Sequence, residues 1–171
     1  MTLDELFAVL GDDRGGDVVT ARAHALQCAH LLARARPGDA ELAIAGLTHD
    51  VASSLEPRPA GDHALEGARL VEPLFGARVA ALVGGHVVAK RWLITTEPAY
   101  GAGLSDESRA TLVDQGGALD APALAAFAAS PWFADCVLLR RCDDAAKRPE
   151  RIVPPLESWL PVARALVRPR R

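Results

Sequence analysis

Residues 19–36 read VTARAHALQCAHLLARAR, an unbroken run of good helix formers that Pro37-Gly38 brings to a stop. The same design recurs down the chain: an alanine- and leucine-rich segment, opened by Asp, Ser or Pro and closed by Gly or Pro, with only short β-branched runs. Asp39 caps a predicted helix over residues 40–53, and Asp62 caps one over 63–75. Gly76 separates that helix from the next, over 77–92. Ser105 opens a short helix to 114, Asp120 caps one to 129, Pro131 starts one to 147, and Pro154-Pro155 starts the last, to 167. Residues 56–62 and 94–104 read as loops, and residues 168–171 as a frayed tail. The expected fold is all-α, with seven or eight helices in a single domain over 1–171 and no solenoid period.

Length and charge narrow the function. A chain of 171 residues, half of them hydrophobic and 24% charged, has an ordinary globular composition. Its net charge of −3 argues against a generic nucleic-acid binder, which needs a basic surface. No apolar run reaches the roughly 18–20 residues of a membrane span, and the acidic start MTLDELFAVLGDD lacks a basic n-region. The expectation is a soluble, cytoplasmic protein with neither nucleic acid nor membrane as partner. Cys28, Cys136 and Cys142 have no metal-ligand spacing and form a poor disulfide framework, so they read as free thiols.

The histidines carry more. His24, His30, His49, His63 and His86 are all there are. His24 falls within one predicted helix, His49-Asp50 closes the apolar segment LAIAGLTHD, His63 starts a third helix and His86 lies in a fourth, with Asp143 on a late helix. One ligand or ligand pair per helix, converging inside a bundle, is how helical proteins build di-metal sites. The Asp50 carboxylate has two oxygens and can bridge two ions. Mixed imidazole and carboxylate donors suit iron, manganese or zinc better than magnesium or calcium. Lys90 follows His86 by four residues and shares its helix face, and Arg140 precedes Asp143 by three; if His86 and Asp143 bind metal, an ammonium and a guanidinium fork project beside the site, where they can meet an anion.

The order H…HD…H…H…D resembles the HD-domain superfamily. Three stretches resemble one branch of it more narrowly: HALEGARLVEPLFGARVAALVGGHVVAKRWL (63–93), LSDESRATLVDQGGAL (104–119) and LLRRCDDAAK (138–147). That branch is the mixed-valent di-iron oxygenases typified by 2-amino-1-hydroxyethylphosphonate dioxygenase, distantly related to myo-inositol oxygenase. The similarity runs from Gly15 to Lys147. It implies an HD-type helical bundle holding two irons, Fe(II)/Fe(III), with O2 as co-substrate. His24, His49, Asp50 and Asp143 would hold one iron and His63 and His86 the other, with Asp50 as the bridge. Asp143 is preferred to Asp144 because DDAAK then sets Lys147 four residues on, as in the family. Asp50 and Lys90 are the implied catalytic residues. Lys90, Arg140, Ser108, Gln115 and Asp17 are the implied substrate contacts, for a small anionic substrate, an organophosphonate. The residues alone leave Lys90 open as a solvated lysine, Ser108 as a helix start, Gln115 as a turn residue and Asp17 as an N-cap.

Two departures from the founding type fall in the pocket. Gly15 stands where that type has a gating tyrosine and Asp17 where it has a glutamate that meets the substrate amine. Ser53 replaces a histidine three residues after Asp50. The metal frame is kept, so the expectation is oxidative cleavage of the C–P bond of a small 1-hydroxyphosphonate, to phosphate and a carboxylic acid, with a changed substrate. The alternatives are an HD-type phosphohydrolase, using the same ligands to activate water against a phosphate ester, and a non-catalytic metal- or ligand-binding module. HVVAKRWL together with QGG favours the oxygenase.

Overall fold

Capping side chains set where most of the helices begin. In a computed structural model, which describes residues 1–13, 18–57 and 62–168, Thr2 and Glu5 close a reciprocal capping box at the start of α1 (Leu3–Gly11). Thr20 caps α2 (Ala21–Ala35), Asp39 caps α3 (Ala40–Thr48) and Asp62 caps α4 (His63–Phe75). Gly76, at φ 85°, links α4 to α5 (Ala77–Thr96) in a backbone conformation that side chains rarely tolerate. Ser105 caps α6 (Asp106–Asp114) and Asp120 caps α7 (Ala121–Ala128), while α8 (Phe133–Ala145) and α9 (Leu160–Leu166) follow. Short 3₁₀ turns cover Val51–Ser54, Tyr100–Gly103 and Leu156–Trp159. Every regular element among the described residues is helical, so the fold is all-α as expected.

Several boundaries differ from the sequence reading, each for a local reason. α1 was not anticipated; its signal is the T-x-x-E box followed by Leu6 and Leu10, which are buried one turn apart. α3 stops at Thr48 rather than 53, because Asp50 leaves helical geometry (φ −105°, ψ 14°) and the chain tightens into the Val51–Ser54 turn. α5 runs on to Thr96, and the Thr95 and Thr96 hydroxyls donate back to the Arg91 and Trp92 carbonyls. α8 is shorter than 131–147 at both ends, and the segment after Pro155 is a 3₁₀ turn before it becomes α9. Arg168, expected to fray, is attached: its N–H donates to the Leu74 carbonyl at 2.9 Å.

The core runs along α3 and α5. Residues 42–48 are all buried, as are Val79, Leu82, Val83, Ala89 and Leu93. α3 packs on α2 and α5, and α5 packs on α4 and α8. Two glycines permit the closest approaches. A Cβ on Gly46 would stand 2.4 Å from Leu32 Cδ1, and one on Gly85 would stand 2.5 Å from Cys136 Sγ. Gly46 lies one turn before His49, and Gly85 immediately before His86. The same backbone approaches that seal the core therefore bring α3 against α2, next to His49 and His24, and α5 against α8, next to His86 and Asp143. All three cysteines are free and buried, as expected.

Candidate metal centre

Each of four buried or half-buried imidazoles reaches the centre from its own segment. His24 comes from α2, His49 from the end of α3, His63 from the first turn of α4 and His86 from the middle of α5. For three of them the outer ring nitrogen is already committed. Nδ1 of His24 faces the Ala146 carbonyl at 3.1 Å, that of His49 the Gly46 carbonyl at 2.8 Å, and that of His86 the Val83 carbonyl at 2.6 Å. A carbonyl only accepts, so Nδ1 donates to it and Nε2 is the nitrogen that turns inward. This is how metal-binding histidines are usually held.

The inward atoms form two groups. His24 Nε2 lies 3.2 Å from His49 Nε2 and 3.1 Å from Asp143 Oδ1. His63 Nε2 lies 3.3 Å from His86 Nε2. Asp50 stands between them. Its Oδ2 is 3.4 Å from His49 Nε2 and 3.8 Å from His24 Nε2, while its Oδ1 is 3.5 Å from His63 Nε2 and 3.6 Å from His86 Nε2. Donors about 2.1 Å from one ion and at right angles to each other stand about 3 Å apart. Both groups have that spacing, so His24–His49–Asp143 and Asp50–His63–His86 could each hold an ion. His30, the fifth histidine, is in neither group.

Electrostatics suit a cation. Burial opposes ionisation of Asp50, but His49 and His86 outweigh it and hold the carboxyl well below the usual range. Burial likewise opposes ionisation of Asp143, and Arg140 with His24 and His49 outweighs it. Burial, with His49 and His63 nearby, lowers His86 to about 4, leaving a neutral imidazole. Burial also opposes the charge on His49, which Asp50 and Asp143 nonetheless raise well above its ordinary value. That raised affinity is for a proton shared with the two carboxylates, the place a metal ion would take. Two carboxylates among four imidazoles form a fitting donor set for iron, manganese or zinc.

A cavity of about 420 Å³ opens beside these groups, with His24, Asp50, His63, His86 and Asp143 in its wall. Lys90, Arg140 and Lys147 bring positive charge to it, joined by Ser108, Thr111 and Gln115. Lys90 Nζ donates to the Ser108 carbonyl at 3.2 Å and to Thr111 Oγ1 at 3.1 Å, and Lys147 Nζ donates to Ser105 Oγ at 2.9 Å. Gln115 Oε1 is buried without a hydrogen-bond partner, and its amide can rotate to offer N–H to a ligand. Val9, Leu10, Val19, Ala25, Leu47 and Val51 make an apolar stretch of wall, and Ser53 lines the cavity too. Gly15 and Asp17 lie outside the described residues.

Three participants were not singled out in the sequence. Thr111 follows Ser108 by three and precedes Gln115 by four, so one face of α6 and its end could have suggested it. Lys147 enters the sequence reading only through its spacing from Asp143, yet it lines the cavity. Tyr100 is the chain's single tyrosine. It is not in the cavity wall; its hydroxyl donates to Asp144 and accepts from Arg140 Nε at 3.0 Å.

No family model matches the chain. Relatives do. The hydroxymethylphosphonate dioxygenase of Gimesia maris is 34% identical over 167 residues, covering 92% of this chain and 83% of that protein. The [1-hydroxy-2-(trimethylamino)ethyl]phosphonate dioxygenase (glycine-betaine-forming) of Leisingera caerulea is 30% identical over 160 residues, covering 89% and 81%. An uncharacterized protein of Acanthamoeba polyphaga mimivirus is 34% identical over 90 residues, covering 53% of this chain and 41% of that one. With donors grouped for two ions beside a cation-lined cavity, and this similarity extending over nearly the whole chain, the chain belongs to the phosphonate dioxygenase family.

Proposed function

We propose that the protein is an O2-dependent di-iron oxygenase that cleaves the C–P bond of a small 1-hydroxyphosphonate, giving phosphate and a carboxylic acid. The observation that carries this reading is the position of Asp50, with one oxygen toward His24 and His49 and the other toward His63 and His86. Two irons would be held by His24, His49 and Asp143 on one side and by His63 and His86 on the other, with Asp50 between them. When bound they would supply O2 activation and make the substrate hydroxyl more acidic. The reaction balances without a further reductant: a hydroxyphosphonate and one O2 contain all the atoms of the acid and phosphate products.

The chain's own residues bind and orient the substrate. Lys90 and Lys147 face its phosphonate with ammonium groups, while Ser108, Thr111 and Gln115 offer hydrogen bonds. Arg140, in the same wall, adds the charge of its guanidinium at that end. With the anion anchored there, the carbinol carbon falls beside the metal groups and the tail lies along the apolar wall. That wall keeps bulk water from the reacting carbon. Ser53 and the apolar residues define a tail subsite in which the substrate differs from that of the founding type.

A phosphohydrolase would use the same donors. Similarity to two named phosphonate dioxygenases over about nine tenths of the chain weighs against it. The test is anaerobic iron loading, partial reduction, electron paramagnetic resonance, and phosphate release on adding O2 with a panel of 1-hydroxyphosphonates. A mixed-valent signal that responds to substrate, with O2-dependent phosphate release, is the expected result. Hydrolysis of phosphate esters without O2 would replace this reading with the hydrolase.

A further inference from the structure

Arg140 is buried, and its guanidinium is almost fully committed inside the protein. Nη1 pairs with Asp143 Oδ2 at 2.7 Å, Nη2 donates to Asp144 Oδ1 and to Ser108 Oγ, and Nε donates to the Tyr100 hydroxyl. An arginine has five N–H groups, so one is left for the cavity. Arg140 therefore does something besides meeting an anion: it holds the outer oxygen of Asp143, whose other oxygen faces His24 and His49.

The guanidinium is itself held from behind. The Tyr100 hydroxyl donates to Asp144 Oδ2 and accepts from Arg140 Nε, so tyrosine, aspartate and arginine close a ring of hydrogen bonds. Burial, with Asp144 beside it, pushes the Tyr100 phenol up, so it stays protonated and keeps donating. The turn that carries Tyr100 is fastened independently. Just before it, Glu97 pairs with Arg141 of α8 at 2.6 Å, and Arg109 donates to the Gly101 carbonyl at 3.4 Å. α8 thus presents Asp143 and Arg140 to the centre while its next residue, Asp144, receives the brace.

We propose that Tyr100 and Asp144 are positioning residues of the metal centre: they lock Arg140 in the orientation that fixes Asp143 toward His24 and His49. This rests on the reading that those residues hold a metal. Tyr100→Phe removes one oxygen, breaking two of the ring's hydrogen bonds while keeping the ring's volume. Asp144→Asn keeps the size but supplies N–H where Tyr100 needs an acceptor. Either change leaves Arg140 free to tilt and Asp143 less restrained. Loss of an outer partner of a ligand commonly weakens metal binding about 10- to 100-fold.

The experiment loads wild type, Tyr100→Phe, Asp144→Asn and Glu97→Gln with ferrous iron, removes loose metal by gel filtration, and counts iron per chain. The melting temperature of each metal-free chain is measured alongside. Both ring variants are expected to keep one iron where wild type keeps two, with metal-free melting close to wild type. Glu97→Gln, which cuts the other tie to α8, is expected to keep both. Retention of both irons by Tyr100→Phe and Asp144→Asn would overturn the proposal. So would an equal loss in Glu97→Gln, because general anchoring of the turn would then be responsible. A wild-type chain that retains no iron would instead overturn the metal reading on which the proposal stands.

Discussion

Lys90 Nζ donates to the Ser108 carbonyl at 3.2 Å, joining the middle of α5 to the first turn of α6 on the cavity wall. The lysine is buried, and burial together with the nearby Arg140 lowers its pKa to about 8. The cation is thus present below about pH 8 and lost above it. Phosphonate binding to the free protein should therefore weaken as pH rises past 8, approaching tenfold per pH unit in kcat/KM. Lys90→Arg, whose charge persists to much higher pH, should move that alkaline limb upward by at least a unit even if its maximum is lower. A pH profile of kcat/KM for both proteins checks this, and an unchanged limb in Lys90→Arg would assign the titration elsewhere. Stability runs the other way. A lysine whose folded pKa is lowered favours folding progressively as pH climbs from about 8 toward its unfolded value near 10.4.

Asp50 faces both groups of imidazoles, so removing its charge should affect both. Asp50→Asn keeps the shape but leaves each group with one less anionic oxygen. Iron content should fall well below one per chain, and activity by at least about a thousandfold, since the proposed reaction uses both ions. His63→Ala removes a donor from one group alone and should leave about one iron bound. Metal analysis of the two variants side by side distinguishes a shared bridge from a carboxylate that serves one ion.

Metal binding should also appear as stability. The carboxylates and imidazoles are assembled in the folded chain and scattered in the unfolded one, so an ion bound only by the folded state stabilises it by mass action, about 4 kcal/mol at a thousandfold excess over Kd. In a domain of this size that corresponds to roughly 8–16 °C in melting temperature. Thermal melts with added ferrous iron and with a chelator should differ by an amount of that order. The difference should shrink sharply in His49→Ala, which removes a donor buried completely in the core.

The parts of this architecture that the sequence reveals are those set within a few residues. Asp39, Asp62, Ser105 and Asp120 announce helix starts because a side-chain cap acts within three residues of itself. The grouping of His24, His49, Asp50, His63, His86 and Asp143 could be anticipated because each sits on its own segment in an order that resembles a known frame. Tyr100 could not. Its meaning depends on a 3₁₀ turn in a segment that reads as loop, pressed against residues 40 and 44 positions later on α8. The commitment of Arg140 was hidden for the same reason. Its spacing from Asp143 was visible, whereas the Tyr100 and Ser108 contacts that take up its other N–H groups arise only when α6, α8 and the turn come together. The early end of α3 is a third case. Nothing in HDVASS marks a break, and the helix yields where Asp50 turns its carboxylate between the two groups of histidines.

Ser53 tests how the tail is chosen. It lies in the 3₁₀ turn after Asp50, its N–H donates to the Asp50 carbonyl, and it lines the cavity without belonging to either group of donors. Replacing it with histidine, as in the founding type, puts an imidazole where a small hydroxyl stood. The added ring takes up tail space and offers a hydrogen-bonding nitrogen. Ser53→His should therefore change the ranking of substrates by tail, raising kcat/KM for an amino-bearing 1-hydroxyphosphonate relative to a plain alkyl one by about tenfold, the worth of one good hydrogen bond. Iron content should stay at the wild-type value, because the donors of both groups are untouched. Competition between the two substrates, read as phosphate against each carboxylic acid product, measures the ratio directly. An unchanged ratio with intact iron would mean that the tail does not reach this turn, and that the apolar wall formed by Leu10, Ala25 and Leu47 sets the preference instead.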